Sequence, residues 1–87
     1  MSFVYILQSE KNNSFYIGST NNLSRRLREH NEGKSEYTKS IRPFRLVFSQ
    51  RYLSLLEARR IEEKLKKFKN KNIILTIIKD GYIKVKV

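Results

Sequence analysis

The 87-residue chain has no cysteine, which excludes a disulfide framework and a thiolate metal site. A small domain without such staples points to a reducing compartment, and the cytoplasm is the expected location. Proline occurs once and glycine three times, too little punctuation for a loop-rich or low-complexity chain. With 39 % apolar residues, five tyrosines and five phenylalanines, the chain is also too hydrophobic for a disordered basic tail. No apolar run approaches the roughly 18 to 20 residues of a membrane span, and Met1 to Leu7 lacks the basic leader and the length of a signal sequence. No membrane partner is expected. Acid is scarce: eight Asp and Glu stand against nineteen Lys and Arg, for a net charge of +11.

At this length one domain over residues 1–87 is expected, with a thin core, because such a chain buries only about 60–65 % of the surface it exposes when unfolded. The positive charge is uneven. Arg25, Arg26 and Arg28 fall within four residues, and Arg59, Arg60, Lys64, Lys66, Lys67, Lys69 and Lys71 crowd a second helical region. Clusters of this kind suit phosphate neutralisation with counterion release, so an anionic partner is expected. A solvated lysine face is the plain alternative. A membrane-surface role fits less well, since the apolar residues of these helices are needed for the core.

Phe3 to Gln8 is a β-branched and aromatic run, Glu10 to Asn13 a polar turn and Phe15 to Ser19 a second run, which together read as a β-hairpin. Phe3, Tyr5 and Leu7 alternate with Val4 and Ile6, so the first strand is apolar on both faces and is predicted to be central, covered by helices on each side. Asn21 or Asn22 can cap a helix over residues 23–31 that ends by Gly33. A polar loop leads to a third strand over 44–52, and Ser54 with Glu57 forms a capping box for a helix over 55–69. Residues 72–78 are strand-like by propensity, and Asp80-Gly81 followed by Tyr82 to Val85 would close a hairpin.

At 100° per residue, Leu23 and Leu27 define the buried stripe of the first helix. Arg26 and His30 fall beside that stripe and are i, i+4 neighbours able to hold one phosphate between them, whereas Arg25 and Arg28 point away. Ala58, Ile61, Leu65 and Phe68 form the inner stripe of the second helix, and of Glu57, Glu62 and Glu63 it is Glu62 that lies nearest to it. Each candidate has a plainer explanation. Arg26 could pair with Glu29, His30 could be a residue favoured by the helix C-terminus, and Glu62 could pair with Lys66 at i+4. Tyr5 and Tyr16 could be ordinary core or cross-strand aromatics. Their convergence on one surface favours a site.

Val4-Tyr5-Ile6, then Tyr16-Ile17-Gly18-Ser19-Thr20, then Asn22 to Asn31 with Arg26 and His30, then Glu57-Ala58 with Glu62, together resemble the GIY-YIG nuclease domain, in its short free-standing bacterial form. The first motif has Val4 where the family label has glycine. The match runs from about Phe3 to Lys71, and the spacing of Tyr5, ten intervening residues and Tyr16-Ile17-Gly18 makes it specific.

The resemblance implies an α/β (α+β) sandwich, a three-stranded antiparallel sheet flanked by helices, with a short helix at 72–78. It implies a DNA endonuclease of repair or recombination, monomeric or weakly dimeric, using a single Mg²⁺ or Mn²⁺. Tyr5, Tyr16, Arg26, His30 and Glu62 would be catalytic, in one cleft between the hairpin and the two helices, with Glu62 the metal ligand. Gly18, Arg25, Arg28, Lys64, Lys66 and Lys67 would contact nucleic acid, Gly18 by letting a phosphate approach the backbone closely. Some members carry a lysine three residues after the second tyrosine, where this chain has Ser19, which leaves the general base open. A catalytically inactive nucleic-acid-binding module, or a basic subunit that binds an acidic protein face, would be the alternative roles.

Overall fold

The computed structural model describes residues 1–36, 38–68 and 70–83. Three antiparallel strands, β1 (Ser2–Ser9), β2 (Phe15–Thr20) and β3 (Phe44–Tyr52), form a sheet in the order β2-β1-β3. The helices among the described residues are α1 (Leu23–Asn31), α2 (Leu55–Phe68) and α3 (Lys71–Asp80), with a 3-10 turn at Lys39–Ile41.

As the two-faced apolar pattern requires, β1 is central, and Val4, Tyr5, Ile6 and Leu7 are all buried. Val4 and Ile6 face Ala58, Ile61 and Leu65 of α2 and Ile74 and Ile77 of α3. Tyr5 and Leu7 face the other way and pack with Phe44 against Leu23 and Leu27 of α1. A β-bulge between Ile6 and Leu7 shifts the β1–β3 register. The hairpin turn is held by the Ser9 hydroxyl, which accepts from the backbone N–H groups of Lys11 and Asn12 at 3.1 and 3.2 Å. Asn13 takes the left-handed conformation there (φ 62°), which asparagine tolerates better than most residues.

The helix ends follow the cap chemistry. The Asn22 side chain accepts from Arg25 N at 3.0 Å, and Ser54 Oγ accepts from Glu57 N at 3.2 Å. Phe68 departs from the expected inner stripe: as the last residue of α2 it is 45 % exposed. The expected end of that helix at Lys69 lies outside the described residues.

Residues 72–78 are helical, as the family resemblance implies and against the strand and hairpin that propensity suggests. Ile73, Ile74, Ile77 and Ile78 recur at helical spacing, and capping overrides their β propensity. Asn70 accepts from Asn72 N at 2.9 Å, and Gly81, in the left-handed conformation at φ 81°, donates its N–H to Ile77 O at 2.8 Å. Ile83 returns to the core with its N–H on Gln50 Oε1 at 2.7 Å, while residues 84–87 lie outside the described residues. No helix among the described residues is long and apolar enough to cross a membrane.

Candidate active site

Antiparallel pairing sets Tyr5 opposite Gly18 and Leu7 opposite Tyr16, and alternation puts both tyrosines on the α1 face. The tyrosine ring centroids are 6.4 Å apart. From α1, the His30 ring meets them edge-on, 6.1 Å from Tyr5 and 4.9 Å from Tyr16.

His30 is fully buried, and both ring nitrogens are engaged. Nε2 lies 3.1 Å from the Tyr5 hydroxyl and Nδ1 lies 2.7 Å from Thr38 Oγ1, a match for one donor and one acceptor on a neutral imidazole. Burial pushes the His30 pKa down to about 4, and the positive charge of Arg26 acts in the same direction. The ring is therefore neutral near pH 7. Burial likewise pushes the Tyr5 hydroxyl up to about 12, against the opposing pull of the Arg26 guanidinium beside it. Tyr5 keeps its proton at neutral pH. Tyr16 is half-buried.

Arg26 is held between Tyr5 and Glu29, its Nη1 3.2 Å from Glu29 Oε1. Partial burial disfavours its charge, but the hydrogen bonds to Tyr5 and Glu29 outweigh that and raise its pKa. The bond to Arg26 holds the Glu29 carboxyl below the usual carboxylate range.

Glu62 arrives from the opposite face. Its Oε1 accepts a hydrogen bond from the Ser19 hydroxyl on β2, and its Oε2 lies 2.6 Å from Lys66 Nζ. The same ammonium stands 5.6 Å from the centroid of the Tyr16 ring. Glu62 is thus joined to the tyrosines through Lys66, around the edge of the sheet.

The five expected residues do not line one cleft. Tyr5, Tyr16, Arg26 and His30 form one cluster, with Tyr5 and His30 sealed behind its surface and Glu62 on the rim. A polar depression of about 340 Å³ opens beside them, lined by Ser19, Thr20, Arg25, Arg26, Glu29 and Arg59 among others, and shares Arg26 with the cluster. Gly18 has a task that the sequence did not show. A Cβ on Gly18 would run into the hydroxyl and ring of Tyr5, so the missing side chain makes room for a tyrosine. Arg25 reaches the depression, Arg28 is exposed and 3.9 Å from Glu32, Lys64 is half-buried and Lys67 exposed on α2, and Lys66 belongs to the Glu62 pair.

Ser19, Thr38 and Arg59 were not among the candidates. Ser19 sits three residues beyond Tyr16, within the motif itself, and could have been weighed as a partner for a carboxylate. Thr38 lies in a loop and Arg59 within a basic helix, with no local signal to mark either.

The metal question turns on donors. Among the described residues no group of three or more His, Cys, Asp or Glu converges. Glu62 offers hard carboxylate oxygen at the rim, which suits a cation that keeps most of its waters and takes further oxygens from a bound phosphate.

A three-stranded antiparallel sheet that carries two tyrosines against an arginine and a histidine of the first helix is the arrangement of a GIY-YIG nuclease domain. The family model for the GIY-YIG catalytic domain matches residues 1–74, and the chain belongs to this family, a family of nucleases. It is 40 % identical over 70 residues to UPF0213 protein YazA of Bacillus subtilis, covering 79 % of this chain and 70 % of that protein. It is 43 % identical over 67 residues to UPF0213 protein SH2523 of Staphylococcus haemolyticus, covering 76 % and 80 % of the two chains. The solution NMR structure of UPF0213 protein BH0048 from Bacillus halodurans superposes with a TM-score of 0.57 at 34 % identity, over 93 % of this chain and 87 % of that one. The fold is accordingly the expected α+β sandwich.

Proposed function

We infer that the chain is a divalent-metal-dependent DNA endonuclease, acting in repair or recombination as a monomer or weak homodimer. It hydrolyses one phosphodiester bond by in-line attack of water. The observation that carries this reading is the cluster of Tyr5, Tyr16, Arg26 and His30 beside Glu62 in a GIY-YIG chain of net charge +11.

Arg26 neutralises charge developing on the phosphoryl oxygens, from a guanidinium already fixed by Tyr5 and Glu29. Tyr16, the more accessible tyrosine, orients the attacking water, with the ammonium of Lys66 beside its ring. Tyr5, which keeps its proton, and His30, buried and neutral, position the arginine and the second ring. Glu62 would hold Mg²⁺ or Mn²⁺, which when bound supplies charge stabilisation for the leaving oxygen.

The test is a nicking assay on linear, nicked, flapped and branched DNA with and without Mg²⁺ or Mn²⁺. The parent should cut only with metal, and Arg26→Ala and Glu62→Ala should fold normally yet lose about 100- to 1000-fold in rate. Loss of a surface ion pair would cost roughly 1 kcal/mol or less of stability and leave turnover alone. Full activity in either variant overturns the assignment of that residue. The pairing of Glu62 with Lys66 and Ser19 favours one second reading, a catalytically inactive nucleic-acid-binding module whose carboxylate is internally saturated. A parent that cuts no substrate in the panel while binding DNA with a steep salt dependence would establish it.

A further inference from the structure

On the face of the sheet opposite the tyrosines, a groove of about 400 Å³ runs between β2 and the junction of α2 with α3. Phe15, Ile17, Leu65 and Ile74 make its apolar walls, and Lys66 and Lys71 stand among its lining residues. The Lys71 ammonium is 5.9 Å from the centroid of the Phe15 ring.

We propose that this groove seats an unpaired nucleobase of the strand whose phosphate lies against Tyr16 and Arg26. The inference deepens the nuclease reading and rests on it. Three features select this occupant. The groove is continuous with the site, because Lys66 lines it and also stands 5.6 Å from the Tyr16 ring. Phe15 and Tyr16 are consecutive residues on opposite faces of β2, and β2 is an edge strand, so a nucleic-acid strand can pass over its free edge with a phosphate on one side and its base on the other. The chemistry is complementary: an aromatic face and aliphatic walls take a base, and two ammonium groups take the flanking phosphates. A base entering the groove exchanges the Lys71–Phe15 contact for stacking and frees that ammonium for phosphate. An apolar side chain of a protein partner would fit the walls but would have to meet two lysines on a chain of net charge +11. A base paired within a duplex reaches the groove only after unstacking, so the preferred substrate is unpaired beside the scissile bond.

The experiment measures binding in EDTA, where no cleavage can occur, by fluorescence anisotropy. Short oligothymidylate is compared with an abasic strand of equal length and charge. The parent should bind the base-bearing strand about 10-fold or more tighter than the abasic one. Phe15→Leu should erase that difference and leave the abasic affinity unchanged. Equal affinity of the parent for both strands, or a preference that survives Phe15→Leu, overturns the proposal. Phe15 also packs against the core, so a second measurement uses the parent alone: thymidine 5′-monophosphate should shift amide resonances of Phe15, Ile17 and Lys71 and spare those of Leu53 and Leu56, and shifts centred elsewhere overturn the proposal. A protein that discriminates bases in this way but never cuts keeps the groove and loses the nuclease reading. One that cuts with metal yet binds both strands alike loses the groove and keeps the nuclease.

Discussion

Acid should destabilise this fold well above the pH at which its carboxylates protonate, and the whole effect should pass through His30, the single histidine of the chain. In the unfolded chain that imidazole takes up a proton around its ordinary pKa of 6.5, whereas in the fold it does so only near about 4. Between those values the unfolded state binds more protons, so stability falls as pH falls, by up to about 1.4 kcal/mol per pH unit. Because the ring is fully buried, solvent screening removes little of this. At pH 5 the loss relative to pH 7 comes to about 2 kcal/mol, rising to on the order of 3 kcal/mol near pH 4. For a domain of this size that is a fall in Tm of about 8–16 °C at pH 5. Thermal and urea melts at pH 7, 6 and 5 measure it, with His30→Gln as the comparison, which keeps a polar side chain on Tyr5 or Thr38 but cannot titrate. The Glu29 carboxyl, held below its usual range by Arg26, loses its contribution only at lower pH, so the window from 7 to 5 isolates the imidazole. His30→Gln should start less stable and stay flat across that window. A parent curve that is equally flat, or a variant that falls in parallel with it, refutes the claim that His30 is held neutral.

Gly18→Ala should lower stability by about 1–3 kcal/mol, since the added methyl group meets the Tyr5 hydroxyl and ring and Tyr5 cannot retreat without leaving His30. An unchanged Tm would mean that the ring moves freely. Lys66→Met should tighten Mn²⁺ binding at Glu62, read by electron paramagnetic resonance titration of free Mn²⁺, because it removes the ammonium lying 2.6 Å from Glu62. Lys67→Met, at an exposed neighbour on α2, should not do so, and equal effects in the two variants would show only a change of net charge.

The hairpin, the central β1, α1 and α2 were legible because each carries a local signal: two-faced apolarity, an asparagine cap, a serine cap followed by a helical stripe. Residues 72–78 were not, because isoleucine is the strongest part of that signal and serves either state. What decided them was Asn70 and Gly81, one cap on each side, together with the i, i+4 recurrence of the isoleucines. At the site, the helical wheel correctly turned Arg26 and His30 toward the sheet, but a wheel has no depth. It could not show that His30 lies behind Tyr5, out of reach of a substrate, or that Thr38 closes the other side of the ring. The steric need for glycine at position 18 was out of sight for the same reason. The clash that makes glycine necessary comes from Tyr5, thirteen positions earlier, and appears only once the two strands pair.

The narrowness of the sheet explains how a carboxylate from the far side takes part at all. The tyrosines and α1 occupy one face, and α2 covers the other with Ala58, Ile61 and Leu65 against Val4 and Ile6. In a wider sheet Glu62 would be cut off from Tyr16 by further strands, each adding about 4.8 Å. Here β2 is the edge and only six residues long, so a glutamate at the margin of the α2 stripe clears a single strand, bonds Ser19 on its near side and brings Lys66 to Tyr16 on the other. The same geometry limits the cost of a polar cluster in a small domain. Tyr5, His30 and Thr38 satisfy one another, and no buried side-chain polar atom among the described residues lacks a partner. The apolar contacts that hold the fold lie mainly on the α2 and α3 face, so residues of the α1 face are free to be chosen for chemistry, provided their hydrogen bonds close among themselves.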